Sequence, residues 1–340
     1  MKYKILGNTG LKVSELCLGT MTFGGGNGMW QAIGSLQQKE VDDLIKTSVD
    51  AGINFIDTAN VYSEGISEMM TGKSIKNLGL KREDLVVATK VRGKMSDNPN
   101  GTGLSRKHIL HQIDESLKRL NIDYIDLYQI HGYDELTTLE EIIDTMDTLM
   151  KSGKVRYIGC SNLTSWQIMK ANSYSLYNRL AKFVSLQAYY TIAGRDLERE
   201  IIPMLKDQNM GLMVWSPLAG GFLSGKFTRK NTSDTNARRV NFDFPPINKE
   251  KAFDIIDVLE PMAKEKNCSV AQLALAWLLN NPTVTSVIIG AKKTNQLEDN
   301  LKSIDITFTQ TELQKLDEVS KLTPEYPGWM LERQGGDRKK

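Results

Sequence analysis

Apolar residues along this chain fall into short runs, and each run is followed by a stretch where they recur every three or four positions. The runs read as strands: SELCLGT (14–20), NFIDTA (54–59), LVVATK (85–90), YIDLYQIH (124–131), VRYIGCSN (155–162), FVSLQAYY (183–190), GLMVWSP (211–217) and TSVIIGAK (285–292). Between them KEVDDLIKTSVDAG (39–52), SRKHILHQIDESLKRL (105–120) and LEEIIDTMDTLMKSG (139–153) have helical periodicity. Several such segments open on Ser or Thr and end at Gly, which are capping signals.

This βαβα rhythm, with no linker-like break, predicts an α/β fold: one closed (β/α)8 barrel, with a doubly wound open sheet as runner-up. The rhythm lapses once, between 217 and 285, where AGGFLSGK, a polar stretch (228–246) and two helices at roughly 249–266 and 269–280 read as an insertion after strand seven. The expected division is a barrel over 1–322 and a C-terminal tail, 323–340, over or near its mouth.

Composition narrows the function classes. A 340-residue chain with 40% hydrophobic and 25% charged residues has ample material for a core. Lys plus Arg at 43 against Asp plus Glu at 41 leaves +2, and no basic stripe precedes the terminal Arg338, Lys339 and Lys340, so nucleic-acid binding has no electrostatic support. The N-terminus lacks a signal-like apolar run, and no stretch is long and apolar enough to span a bilayer; a cytoplasmic protein without a membrane partner is expected. Cys17, Cys160 and Cys268 are scattered and read as small core residues. Without a secretory signal, the glycosylation sequons at Asn162 and Asn231 have no consequence.

The strand ends carry the chemistry. Strand two ends at Asp57, three at Lys90, four at His131, five at Ser161 and Asn162, six at Gln187, seven at Ser216, and eight at Gly290 and Lys292. A closed barrel gathers such ends around one mouth, with neighbouring strands about 4.8 Å apart. Tyr62 lies on the loop above Asp57, Lys90 and His131. An ammonium stabilises phenolate, so Lys90, held by Asp57, would tune Tyr62 as an acid, and a neutral His131 would orient a substrate oxygen. A tuned acid facing a carbonyl calls for hydride, which a cofactor normally supplies.

These residues resemble the aldo-keto reductases, barrel enzymes that use NADPH without a metal. LGNTGLKVSELCLGTMTFG is similar to the family's opening hairpin and first strand, NFIDTANVYSEG to its Asp-and-Tyr signature, and LYQIHGYD to its His strand. The resemblance is closest to the branch with aryl-alcohol dehydrogenase-like and potassium-channel beta-subunit-like members. It implies Tyr62 as acid-base, Lys90 and Asp57 as its tuning pair, and His131 as the orienting group. It also implies that Ser161, Asn162 and Gln187 hold the nicotinamide carboxamide, with Tyr189 or Tyr190 under the ring. WSPLAGGFLSGK, with Trp215, Ser216, Pro217, Leu218, Gly220, Gly225 and Lys226, resembles the pyrophosphate loop. IGAKKTNQLEDN, with Gly290, Lys292, Gln296 and Asn300, resembles the site for the adenosine 2′-phosphate and adenine. The family often has Arg where Lys292 stands. NADPH is therefore expected, with NADH possible, because lysine binds phosphate as a point charge rather than a fork.

Other motifs lead elsewhere. Gly220, Gly225 and Lys226 form a near-P-loop, but Phe227 follows where Ser or Thr would reach a metal. GGGNG (24–28) lacks the spacing of a Rossmann fingerprint. His108 and His111 have no third ligand, and no metal is expected. Three segments could overhang the mouth: 21–37 with Phe23 and Trp30, the 228–246 insertion, and 325–333 with Trp329. The expected partner is a small aldehyde or ketone with an apolar or aryl body, and no oligomeric state is implied. Two further readings are a cofactor-binding regulatory subunit with little turnover and a Schiff-base lyase using Lys90.

Overall fold

The computed structural model describes residues 1–26, 28–231, 239 and 242–336. The sequon at Asn231, most of the polar part of the insertion and the terminal Arg338, Lys339 and Lys340 therefore lie partly or wholly outside the described residues.

A hairpin of β1 (Tyr3–Ile5) and β2 (Lys12–Ser14) opens the chain. The eight expected strands follow as β3 (Leu16–Gly19), β4 (Phe55–Asp57), β5 (Val86–Val91), β6 (Ile125–Ile130), β7 (Val155–Ser161), β8 (Ser185–Tyr189), β9 (Gly211–Trp215) and β10 (Val284–Ile289). They pair in parallel, in chain order, and β10 bonds both β9 and β3 to close the barrel. Several strands are shorter than their apolar runs because the chain turns at the mouth while still bonding its neighbour. Thr58 N–H, for example, donates to Ala88 O and Asn60 N–H to Lys90 O.

The helices are α1 (Met29–Ile33), α2 (Gln38–Asp50), α3 (Ile66–Asn77), α4 (Arg106–Leu120), α5 (Leu139–Lys151), α6 (Ser165–Asn178), α7 (Ile201–Asp207), α8 (Lys249–Glu265), α9 (Val270–Leu279), α10 (Thr294–Leu301), α11 (Gln310–Ser320) and α12 (Gly328–Gly336). The capping signals act as read: Ser105 Oγ accepts from His108 N–H and Thr138 Oγ1 from Glu141 N–H. Among the described residues no helix is long and apolar enough to cross a membrane.

Period-two alternation sorts each strand between two cores. Cys17, Phe55, Val86, Ala88, Leu127 and Met213 fill the lumen together with Leu6 and Val13 of the hairpin segment. Leu16, Leu18, Ile56, Val87, Tyr128 and Ile158 face the helices. The parity continues to the strand ends. On β5, Thr89 points outward, donating to Glu68 Oε1 of α3 at 2.5 Å, while Lys90 points into the lumen. Glu68 is fully buried and paired with Arg119 of α4 at 2.6 Å.

The insertion builds a satellite core. Phe222, Leu223 and Phe227 pack with Phe253, Ile256 and Leu259 of α8 and with Leu273 of α9. The tail beyond α11 is tethered near the segments after β8 and β9: Arg199 pairs with Glu325 at 3.0 Å and Lys251 Nζ donates to Lys321 O at 2.7 Å.

Candidate active site

The lumen ends in a buried polar layer. Lys90 Nζ uses three directions: it donates to Asp57 Oδ2 at 2.5 Å, to Thr58 O at 2.8 Å and to Tyr62 OH at 3.2 Å. Lys90 is fully buried and Asp57 is 2% exposed, so neither charge is shared with bulk water. Burial works against the ammonium, but the charges and hydrogen bonds of Asp57 and Tyr62 outweigh it and raise the lysine above its ordinary value. Lys90 is thus a permanent cation aimed at a phenol.

Tyr62 opens a short turn, Tyr62–Gly65, that follows β4. Ser63, Glu64 and Gly65 all have positive φ, at 48°, 57° and 94°. Such backbone costs energy and persists where surroundings impose it. Here Ser63 Oγ donates to Phe23 O at 2.9 Å, and a Cβ on residue 65 would lie 2.7 Å from Arg119 Cδ. The ring is flanked by Trp30 at 5.9 Å and His131 at 5.8 Å between centroids. His131, half-buried after β6, is pushed down to about 3 by burial and then by the positive Lys90 and Arg92, so it is neutral at pH 7.

After the neighbouring strand β7, Asn162, in a left-handed conformation (φ 57°), bridges two elements. Its Nδ2 donates to His131 O at 3.2 Å, and its Oδ1 accepts from Trp215 Nε1 at 3.0 Å. Ser161 Oγ is buried beside it with no hydrogen-bond partner among the described residues. Trp215 lies between Tyr189, at 5.1 Å, and Phe244, parallel to within 7° at 5.8 Å.

Beyond Trp215 the chain folds into a cradle. Ser216, Ala219, Gly220 and Gly221 have φ of 52°, 51°, 65° and 95°, and Ser216 Oγ accepts from Gly220 N–H at 3.0 Å. A Cβ at residue 220 would lie 2.3 Å from Phe244 O. Gly225 is left-handed too, and Lys226 is exposed beyond it. Within this turn Ala219 N–H donates to Ser216 O and Gly221 N–H to Leu218 O, each at 2.9 Å. After the neighbouring strand Gly290 leads from β10 towards α10, and Lys292 N–H donates to Gln296 Oε1 at 3.1 Å; Lys292 is half-buried and Asn300 buried. A buried serine hydroxyl without a partner among the described residues and a cradle that a side chain would fill both suit a nicotinamide nucleotide. Pro217 and Leu218 lie in the same turn.

The structure departs from the sequence reading at several positions. Phe23 is fully buried in the core, so it is not on the pocket wall; its carbonyl holds Ser63 and Trp30 is the aromatic ring beside Tyr62. Trp329 is 44% exposed and its ring partner among the described residues is Tyr326 of the same tail, so it is not brought against Tyr62. Tyr190 is fully buried, with its hydroxyl on Glu198 at 2.6 Å and its ring on Trp277, and cannot lie under a bound ring. Gln187 points into the lumen and donates to Asp57 Oδ1 at 2.9 Å.

Two residues at the site went unread in the sequence. Gln129 Nε2 donates to Asp57 Oδ1 at 3.0 Å. Its signal was available: it shares the parity of Leu127, an inward residue of β6. Arg239 is buried and donates to Ala219 O at 2.7 Å and Pro245 O at 2.6 Å, tying the insertion to the cradle; a lone arginine in a polar stretch gives no such warning. His108 is turned into the core with Nδ1 3.1 Å from Asn100 O. Among the described residues no cluster of His, Cys, Asp or Glu could hold a metal ion.

A phenol backed by a buried cation, with a neutral imidazole beside it, is an arrangement able to supply a proton, and carbonyl reduction requires one proton and one hydride. That places the chain in the class of barrel oxidoreductases. The Aldo/keto reductase family model matches residues 15–321, and the chain belongs to that family. It is 36% identical to the "uncharacterized oxidoreductase YrpG" of Bacillus subtilis, over 97% of this chain and all of that protein. It is 38% identical to a "probable voltage-gated potassium channel subunit beta" of rice (Oryza sativa subsp. japonica), over 90% of this chain and 92% of that one. It is 34% identical to the "versiconal hemiacetal acetate reductase" of Aspergillus parasiticus, over 94% and 96%. As a member of the family the protein is an oxidoreductase that acts on small carbonyl compounds with a nicotinamide cofactor.

Proposed function

We propose that the protein reduces aldehydes or ketones to alcohols, reversibly, with NADPH as the preferred cofactor and Tyr62 as the proton donor. The observation that carries this reading is the chain Asp57, Lys90, Tyr62, closed by bonds of 2.5 and 3.2 Å inside a buried layer. The ammonium stabilises the phenolate left after proton transfer, so the phenol gives up its proton at a pH where an isolated tyrosine would not. His131, neutral, donates an N–H to the carbonyl oxygen and fixes its direction, since an imidazolium there would compete with Tyr62 as the acid.

The bound nicotinamide supplies hydride to the carbonyl carbon. Ser161, Asn162 and Gln187 would hold its carboxamide, Trp215 would offer a flat face beside them, and Lys226 beyond the 216–221 turn would bind the pyrophosphate. Lys292, with the N-terminus of α10, favours a 2′-phosphate. Trp30, against Tyr62, suits an apolar or aryl carbonyl.

The test is oxidation of NADPH, followed at the reduced-nicotinamide absorbance band, with 4-nitrobenzaldehyde and a panel of ketones. Binding of neither NADPH nor NADH overturns the reading. Lys292→Ala should weaken NADPH and leave NADH unchanged. A second reading, a cofactor-binding subunit of a larger assembly, is favoured by the identity to the rice protein. Tight NADPH binding with no turnover of any carbonyl selects it. A Schiff-base role for Lys90 is disfavoured by the lysine's charge, since only the neutral amine attacks carbonyls.

A further inference from the structure

Asp57 is held on both oxygens. Oδ2 accepts from Lys90, and Oδ1 accepts from two side-chain amides, Gln187 Nε2 at 2.9 Å and Gln129 Nε2 at 3.0 Å. Gln187 Nε2 also lies 3.3 Å from Gln129 Oε1, so the two glutamines are linked to each other as well as to the carboxylate. Carboxylate oxygens only accept, so each amide must turn its nitrogen toward Asp57, and the orientation of both side chains follows from chemistry.

The fold makes room for this arrangement. Gln129 is the register partner of Lys90 on β5 and of Gly159 on β7. A Cβ at residue 159 would lie 3.2 Å from Gln129 Cγ and 2.8 Å from Ser185 Oγ. Gln129 is fully buried, and a buried amide is costly unless its bonds are made.

We propose that Gln129 is a positioning residue: its amide fixes the Asp57 carboxylate against Lys90 and thereby sets how strongly Lys90 supports Tyr62. The inference rests on the reading of Tyr62 as proton donor. Without the Gln129 donor, the negative charge on Oδ1 is answered by one amide fewer. Asp57 then draws the Lys90 proton more strongly along the 2.5 Å bond, and the longer 3.2 Å donation to Tyr62 weakens. The phenolate loses support, and Tyr62 should release its proton at higher pH. The charged and titratable groups facing this layer are Asp57 at the end of β4, Tyr62 on the next turn, Lys90 from β5, Arg92 just after it, His131 after β6 and Cys17 from β3 below. His131 is neutral throughout the alkaline range.

The experiment is a tyrosinate absorbance titration of the whole protein without cofactor, with the Tyr62 component isolated by subtracting Tyr62→Phe in each background. In Gln129→Met, close in volume but without the donor, that component should move up by about half to one pH unit. In an Asp57→Asn background the same change should do nothing, because Gln129 acts through Asp57. Gln129→Leu replaces the Met variant if the latter does not fold. With turnover, the alkaline limb of carbonyl reduction should move the same way, and the KM for NADPH should stay within twofold. A Tyr62 component that stays in place in Gln129→Met, or that moves equally with Asn at residue 57, overturns the proposal. Because the titration needs neither cofactor nor turnover, a protein inactive on every carbonyl would defeat the functional reading and leave this measurement decisive.

Discussion

The Lys90 ammonium donates to the Tyr62 hydroxyl across 3.2 Å, from a position where no water shares its charge. Removing the hydroxyl alone should therefore remove proton delivery and little else, since a phenyl ring keeps its contacts with Trp30 and His131. Tyr62→Phe is expected to lower kcat by about 10²- to 10⁴-fold, with the NADPH dissociation constant from fluorescence quenching unchanged. Turnover within twofold of the parent would assign the proton to another group.

Lys90→Met should cost stability as well as activity, because it strands the Asp57 carboxylate in the lumen without its cation. Breaking a buried pair from one side costs about 3–5 kcal/mol. The double variant with Asp57→Asn should recover a large part of that loss in urea unfolding while turnover stays absent. Equal stability of the single and double variants would mean that the charge is relieved in some other way.

His131 gives a pH signature. In the unfolded chain it takes up a proton near 6.5, and in the folded protein only near 3. Between those values the unfolded state binds one proton more, so stability rises with pH: the contribution is complete above 6.5 and is lost as the solution is acidified toward 3. The urea midpoint should fall on going from pH 6.5 to 4, and His131→Gln should flatten that fall by about 1.4 kcal/mol per pH unit. Identical slopes for the two proteins would contradict a neutral buried imidazole.

Trp30 borders Tyr62 without bonding to the Lys90 pair. Trp30→Ala is expected to raise the KM for aryl aldehydes about tenfold, to change the KM for small aliphatic ones less, and to leave NADPH binding untouched. Parallel losses for both substrate classes would make the ring a support for Tyr62 rather than a wall of the pocket.

Gly220→Ala should be damaging well beyond one methyl group. The residue sits at φ 65°, and its Cβ would meet Phe244 O at 2.3 Å, a backbone atom that cannot swing aside. Loss of NADPH affinity by tenfold or more, with thermal stability lowered by a few degrees, is the expected result. Normal affinity would separate the cradle from cofactor binding.

Much of this was legible in the sequence because two periodicities carry it. Eight apolar runs and their helical spacers predict the barrel, and Asp57, Lys90 and His131 at successive strand ends predict a candidate site, since a closed barrel turns sequence order into a ring. What stayed hidden depended on which way a side chain points. Gln129 lies within an apolar run and reads as a blemish until strand parity sends it inward. Phe23 and Tyr190 lie in segments that reach the mouth, yet both rings are carried into the core, so proximity along the chain misjudged them. Arg239 acts by closing a loop, and loop closure leaves no period to detect.

Thr89 and Lys90 are neighbours in sequence on opposite sides of the barrel wall, and Arg119 joins their surroundings: it pairs with the Glu68 that receives Thr89, and it lies under Gly65, which ends the Tyr62 turn. The spacing between the Lys90 ammonium and the Tyr62 phenol is therefore gauged from outside the lumen, by Glu68, Thr89 and Arg119. On the proposed reading, anyone reshaping the substrate range would exchange the loops around Trp30 and keep residues 68, 89 and 119 fixed as the jig.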